Sequence, residues 1–392
     1  MLITKKIMLI PTKEQELLFW KSAGTSRWAY NYHLGRNKEN YENGGKYLKD
    51  TVTRKEITQL KKAEEYKWLN EVGSNVIKQA IKDCDKAFRD FFSNKKGYPK
   101  FKSKKKERPS FYVNYESLSK KKKGFHGEKI GYIRTREPLP TIPNETHYSN
   151  PHISYDGKYW YLTIGYEVKE SSQQLSKESL GIDLGIKDLA ICSNEKVYKN
   201  INKTKRVKQL KKKLKRTQRK LSRQLKNNIE SYTTYTNSKG QNCRKPNFKK
   251  PLRDCKNFNK TKRQIKLINR KINNIRTNYL HQTTSEIVKT KPYRIVLEDL
   301  QVTNMMKNKH LAKAIAEQKF YEFRKQIEYK AKLRGIAVVF ADKFYPSSKT
   351  CSHCGHIKKD LKLSDRTYVC SECGLIIDRD YNASLNLANY IQ

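Results

Sequence analysis

Gly181-Ile182-Asp183-Leu184-Gly185, followed by Leu189-Ala190-Ile191-Cys192 and Lys196-Val197-Tyr198, is the stretch on which the fold turns. Short apolar runs punctuated by turn residues predict a three-stranded meander. Arg294-Ile295-Val296-Leu297-Glu298 and Ile336-Ala337-Val338-Val339-Phe340 read as further buried strands. Mixed strands separated by helical segments imply an α/β core. Within it Asp183 is out of place, because Asp is depleted in strands and a buried carboxylate must find partners or serve a purpose. Glu298 repeats the anomaly at the end of another strand, and Asp380 comes third, just before a helical segment from Ala383 to Tyr390. Taken singly, each acid could be a capping or paired residue, and Asp380 or Asn382 could start the last helix. As an ordered set from two strand ends and a helix start, the three could converge on magnesium or manganese, which prefer hard oxygen ligands. Two such ions roughly 4 Å apart can activate a water and stabilise the leaving oxygen of a phosphodiester.

Cys351-x-x-Cys354 and Cys370-x-x-Cys373 run almost directly into Asp378-Arg379-Asp380-Tyr381-Asn382-Ala383-Ser384. Two matched knuckles let four thiolates meet on one tetrahedral zinc, and Gly355 and Gly374 follow each knuckle where a tight turn is needed. With four cysteine ligands no coordination position stays open, which predicts a structural zinc. Cys84, Cys192, Cys243 and Cys255 follow no ligand spacing and read as ordinary thiols, consistent with a reducing, intracellular compartment.

The 392 residues hold 85 Lys plus Arg against 38 Asp plus Glu, a net charge of +47 that calls for an anionic partner to relieve self-repulsion. Nucleic acid is the natural one. No long apolar run, signal-peptide pattern or lipidation motif directs the charge to a membrane. Nor is there a nucleophile elbow; Lys46 after Gly44-Gly45 fails the spacing of a phosphate-binding loop, and no His-x-His pair offers the metal site of a tyrosine transposase.

Before the core, Lys13 to about Asp90 carries apolar residues at helical spacing, and Lys95 to Tyr115 interleaves lysines with aromatics around Pro99 and Pro109. Residues 130–168 read as strands, with Asp156-Gly157 as a hairpin turn and Leu2 to Leu9 as a further strand. Inside the core, Val207, Leu210, Leu214, Leu221 and Leu225 form one apolar stripe, and Ile265, Ile268, Ile272, Ile275 and Tyr279 form another. They predict a helical hairpin whose outer faces, with Lys211-Lys212-Lys213 and Lys215-Arg216, contact nucleic acid. The polar segment Ser231 to Asn259 between them reads as a mobile loop.

Gly181-Ile182-Asp183-x-Gly185, Val296-Leu297-Glu298-Asp299-Leu300, the four knuckle cysteines and Asp378-Arg379-Asp380-x-Asn382-Ala383 together resemble the TnpB family of transposon-encoded proteins, relatives of type V CRISPR effectors. The likeness covers Ser179 to Ile391 and extends forward through Arg27-Trp28-Ala29-Tyr30-Asn31 and Tyr98-Pro99-Lys100-Phe101-Lys102. The resemblance implies a multidomain α+β and α/β chain. Residues 1–12 and 108–175 would form a β-barrel wedge domain interrupted by a helical recognition domain at 13–107. Residues 176–346 and 376–392 would form an RNase H-like, RuvC-type nuclease core with the basic hairpin at 203–288 and an inserted zinc ribbon at 347–375. It also implies RNA-guided cutting of DNA in a prokaryotic cytoplasm. The guide RNA, transcribed from the transposon end, would pair with the target beside a short flanking motif, and the protein would hold double- and single-stranded DNA; a monomer is favoured, with the oligomeric state left open. Carried over by position, Asp183, Glu298 and Asp380 match the family's metal-binding catalytic acids; the motif offers a second aspartate, Asp378, which either shares in the metal or orients Arg379 or a water. Three other readings stay open at this point: a guided DNA binder that does not cut, an unguided RNase H-like transposase or resolvase, and a ribosome-like RNA-binding protein.

Overall fold

The computed structural model describes residues 1–118, 123–143, 146–170, 173–237, 240–362 and 364–391. They form two compact units, Met1–Val168 and Lys169–Gln392.

The first unit begins with β1 (Leu2–Ile10), which ends at Pro11. Thr12 then caps α1 (Lys13–Glu42) in a reciprocal box with Gln15. α2 (Asp50–Leu60), a 3-10 turn at Glu64–Glu71 and α3 (Ser74–Phe92) complete the helical block read from the sequence. β2 (Ser110–Tyr112), β3 (Gly124–Gly127), β4 (Gly131–Thr135), β5 (Ser149–Tyr155) and β6 (Trp160–Glu167) join β1 in one sheet of order β2-β5-β6-β1-β4-β3. Among the described residues β2 and β3 are its edges, so the sheet is a half-barrel. β1 causes the bend: it pairs with β6 from Leu2 to Met8, then passes to β4 at Leu9 and Ile10. The hairpin turn stands where Asp156-Gly157 predicts it, with Gly157 at φ +99° and the Asp156 carboxylate accepting from the N–H groups of Lys158 and Tyr159. Ile7, Phe19, Phe111, Phe125, Trp160 and Ile164 fill the sheet's inner face.

Two motifs read separately in this half meet. Asn31 exchanges two hydrogen bonds of 2.8 Å with the backbone of Lys102, whose ammonium lies 3.7 Å over the Tyr30 ring.

The second unit is built on β7 (Ser176–Leu184), β8 (Asp188–Cys192) and β9 (Val197–Lys199), the expected antiparallel meander. Next come α4 (Lys205–Asn227), β10 (Ile229–Thr236), β11 (Asn242–Phe248) and α5 (Lys256–Lys289). β12 (Pro292–Glu298) lies parallel to β7; after α6 (Val302–Met305), α7 (Ala312–Gln318) and α8 (Phe320–Lys332), β13 (Ala337–Ala341) lies parallel to β12. The sheet order is β13-β12-β7-β8-β9. Finally, β14 (Thr367–Val369) pairs with β15 (Ile376–Asp378), and α9 (Arg379–Ala388) follows at once.

Side-chain alternation along β12 shows how the sheet is covered. Ile295 and Leu297 pack with Leu280, Ile287, Phe323 and Ile327 of α5 and α8, while Val296 between them packs with Leu387 of α9. Helices therefore cover both faces, which is why these strands read as unbroken apolar runs.

The helical hairpin is present, with Val207, Leu210 and Leu214 of α4 against Ile268, Ile272 and Ile275 of α5. At its base, Glu317 takes Arg276 at 3.2 Å with one oxygen and Lys211 with the other. The mobile loop is a correction. Outside Ser238 and Lys239, which lie beyond the described residues, the segment holds the β10–β11 ribbon and the first turn of α5. Ser231-Tyr232-Thr233-Thr234-Tyr235-Thr236 is rich in β-branched and aromatic residues, and this outweighs its polarity.

Candidate active site and metal centre

Ile182 belongs to the core under α5 and α8, so alternation turns Gly181 and Asp183 toward α9. By the same rule Glu298, one beyond Leu297, faces the α9 side of β12. The parallel register Leu297↔Ile182 sets Glu298 and Asp183 at neighbouring positions. α9 supplies the third acid. It passes so close over β7 that a Cβ on Gly181 would stand 2.0 Å from the Ser384 carbonyl and 2.4 Å from the Ala388 nitrogen. Glycine is needed there for space, with no demand on φ. At the far end of α9, Arg294 of β12 donates to the Ala388 carbonyl at 3.1 Å and to Ser179 at 2.9 Å, pinning the helix to the sheet.

The last helix starts at Arg379 and not at Ala383, because Asp378 caps it: its carboxylate accepts from the N–H groups of Asp380 and Tyr381, both at 3.0 Å. That contact gives Asp378 a structural task. Asp380 sits in the first turn, side chain 17% exposed, with Arg379 Nε and Nη2 on its Oδ1 at 3.0 and 2.8 Å and Arg366 3.6 Å from its Oδ2. Glu298 accepts from the Ser347 hydroxyl at 2.7 Å.

The three acids feel one another. Burial, then the charges of Glu298 and Asp380, push the Asp183 carboxyl well above its ordinary value, and the Arg379 guanidinium offsets only part of this. Such mutual repulsion is what a divalent cation relieves, and the donors are hard oxygens. Among the described residues, only the four cysteines bring three or more ligand atoms within 4.8 Å of one another. Asp380 is drawn toward Arg379, and Glu298 toward Ser347.

Cys351 and Cys373 stand 3.6 Å apart, Cys354 and Cys370 3.5 Å, the crossed arrangement a tetrahedral thiolate centre requires. Gly355 at φ +78° and Gly374 at φ +69° make the turns after each knuckle. The cysteines could hold zinc. The remaining four are free thiols, with Cys84 and Cys192 buried.

Sequence reasoning missed the link between these two centres. Asn382, buried, donates to the Thr350 carbonyl at 2.7 Å and accepts from the Ser352 N–H at 2.9 Å; Asn386 donates to the carbonyls of Ser347 and Thr350, both at 2.7 Å. One face of α9 thus grips the segment entering the first knuckle, and that segment carries the Ser347 that touches Glu298. The Asn382-Ala383 pair of the motif was visible in the sequence, but Ser347 and Asn386 have no local signature. It follows that chelating a bound zinc, or changing Cys351 to Ser, should lower the melting temperature of the second unit, with zinc restoring it after chelation. Intact melting in protein shown to be zinc-free would sink the structural role.

Comparison with known proteins agrees with this architecture. Residues 163–309 match the OrfB_IS605 family, described as "Probable transposase", and residues 320–387 match the "Cas12f1-like, TNB domain". Residues 1–46 match a "Helix-turn-helix domain", although here they form one strand and one unbroken 30-residue helix. The "Putative RNA-guided DNA endonuclease InsQ" of Escherichia coli (strain K12) is 29% identical over 97% of this chain and 90% of its own. A "TnpB-like protein L770" of Acanthamoeba polyphaga mimivirus is 25% identical over 71% of this chain and 51% of its own. In sequence the chain is similar to TnpB-like proteins. A second "Putative RNA-guided DNA endonuclease", from Streptomyces pristinaespiralis, aligns with this chain at 28% identity over 97% of it and 87% of the relative. In fold the chain resembles the protein of a Cas12f1-sgRNA-target DNA complex, with a TM-score of 0.55 at 15% identity, covering 96% of this chain and 83% of that one. No helix among the described residues is long and apolar enough to cross a membrane.

Proposed function

We propose that the protein is a transposon-encoded, RNA-guided DNA endonuclease, cutting at a single centre formed by Asp183, Glu298 and Asp380. The observation that carries the reading is the placing of Asp183 beside Glu298 on adjacent strands, where the charges of both Glu298 and Asp380 bear on it, in a chain that aligns over 97% of its length with relatives named for this activity. The strand order supports an RNase H-like, RuvC-type core at 176–346 and 376–392, with the basic hairpin at 203–288 and a zinc ribbon at 347–375. The half-barrel supports a wedge domain at 1–12 and 108–175 around a helical recognition domain at 13–107.

Magnesium or manganese ions held by the three acids would supply an activated water and neutralise charge on the leaving oxygen. Asp183 and Glu298 offer carboxylates from adjacent rigid strands, and Asp380 offers one from a helix braced at both ends. Arg379 and Arg366 flank Asp380 and could meet the phosphate of a bound strand. The charge of +47 suits a guide RNA of defined shape and a DNA target in double- and single-stranded form, with sequence read by base pairing.

The test is to express the full chain with the DNA that flanks its gene, purify it, and sequence the RNA that accompanies it. One defined RNA with a variable end, directing magnesium-dependent cleavage of a matched target, is the expected result. Cleavage of DNA by RNA-free protein would replace this reading with an unguided transposase or resolvase.

A further inference from the structure

The β10–β11 ribbon has no core. No residue of either strand is buried, and Tyr232 and Tyr235 are 56% and 50% exposed. An isolated two-stranded ribbon is marginal in water, and an exposed stretch of aromatic and β-branched residues is a pairing hazard. The register divides its side chains in an ordered way. Pairs Tyr232↔Pro246 and Thr234↔Arg244 put Tyr232 and Arg244 diagonally on one face; pairs Thr233↔Lys245 and Tyr235↔Cys243 put Tyr235 and Lys245 diagonally on the other. Asn247 also ties Ser231 and Thr233 across the strands, at 3.0 and 2.8 Å, stiffening the second face. From Ile229 to Lys250 the sequence has five Lys or Arg and one acid, Glu230.

An aromatic ring beside a cation on each face of a thin ribbon matches unpaired nucleotides, whose bases stack on tyrosine while the phosphates meet Arg or Lys. Duplex DNA keeps its bases stacked inside and offers no such contact. Position separates the ribbon from the chemistry: it caps α4, whose 23 residues carry it about 35 Å outward from the sheet that bears the acids. A site about 35 Å from the acids suits nucleotides that are held and not cut, as those of a guide RNA are.

We propose that the ribbon is a docking site for single-stranded nucleotides of the guide RNA, with Tyr232 and Tyr235 as stacking platforms and Arg244 and Lys245 as phosphate contacts. This rests on the guided reading above.

The experiment compares the full-length protein with two double variants, Tyr232→Ser/Tyr235→Ser and Arg244→Gln/Lys245→Gln, using the RNA that co-purifies with the unaltered chain as probe. The serine pair should weaken RNA binding about tenfold per tyrosine, and Tyr232→Phe/Tyr235→Phe should restore it. The glutamine pair should lower the slope of log affinity against log salt by about 1.4. Both should expose the same few nucleotides to hydroxyl-radical cleavage. Because the ribbon buries nothing, melting should not change. Unchanged affinity and footprint in the variants, with RNA bound by the unaltered chain, overturns this inference alone. Loss of target DNA binding with the RNA footprint intact also overturns it. No RNA on either protein overturns the guided reading with it.

Discussion

Asp183→Asn should abolish DNA cutting while making the metal-free protein more stable. On the proposed function, removing this carboxylate would take away a hard ligand worth several kcal/mol of charge stabilisation, so cleavage should fall by about a thousandfold or more. The stability effect has the opposite sign because Asp183 is held beside Glu298 and Asp380 in a desolvated position, which raises its carboxyl pKa above the unfolded value of 3.8. Below that value the acid is protonated in both states and costs nothing. As pH rises through it, the unfolded chain releases the proton while the folded chain retains it, and stability declines until the folded group ionises as well. Asparagine escapes this penalty. Melting curves without divalent metal should therefore place Asp183→Asn above the unaltered protein at pH 8, with the gap closing toward pH 4 and also on adding magnesium. RNA binding should be unaffected. Cutting that persists in the variant would remove Asp183 from the centre, and a variant less stable at pH 8 would mean that the acids do not repel as described.

Gly181→Ala should be almost as damaging to activity, without touching an ionisable group. The added methyl would meet the Ser384 carbonyl at 2.0 Å and the backbone of Leu387 and Ala388 within 3.0 Å, and neither side can yield by a side-chain rotation. α9 must therefore lift from β7. Overpacking of this kind costs about 1–3 kcal/mol. Because Asp380 rides on the same helix, a shift near 1 Å should lower cleavage by about a hundredfold. Gly97→Ala, where a Cβ meets nothing within 4 Å, is the matched control and should change neither quantity. A fully active Gly181→Ala would show that α9 does not position its acid through this contact.

How much of this was legible in the sequence depended on how local each signal is. The meander and both parallel strands were readable because burial on two faces leaves unbroken apolar runs, and the cysteine centre because its geometry is set by two-residue spacings. Asp183 and Glu298 stood out as charges where strands should be apolar, and Asp380 as the third acid of an ordered set before a helix. That Asp378 caps α9 was harder to read: a capping aspartate and a ligand aspartate two residues apart look alike until the backbone N–H groups are seen to point at one of them. The ribbon was missed because its side chains pack against nothing, so the polarity that signals a loop is equally that of a strand pair exposed on both faces. Ser347 and Asn386 could not be read at all, since their partners lie 49 and 36 or more residues away.

The insertion that carries the ribbon leaves the sheet at Lys199 and returns at Pro292, and its two helices run out and back beside one another. Once they have paired, the chain ends that must come together to lay β12 against β7 are already neighbours. Closing this long excursion then costs little more than closing a short loop, and the low contact order of the arm keeps it from slowing assembly of the core. Reach and chemistry are thereby uncoupled. Whole heptads could be added to or removed from both helices, moving the tip by about 10 Å each time, and no acid would shift.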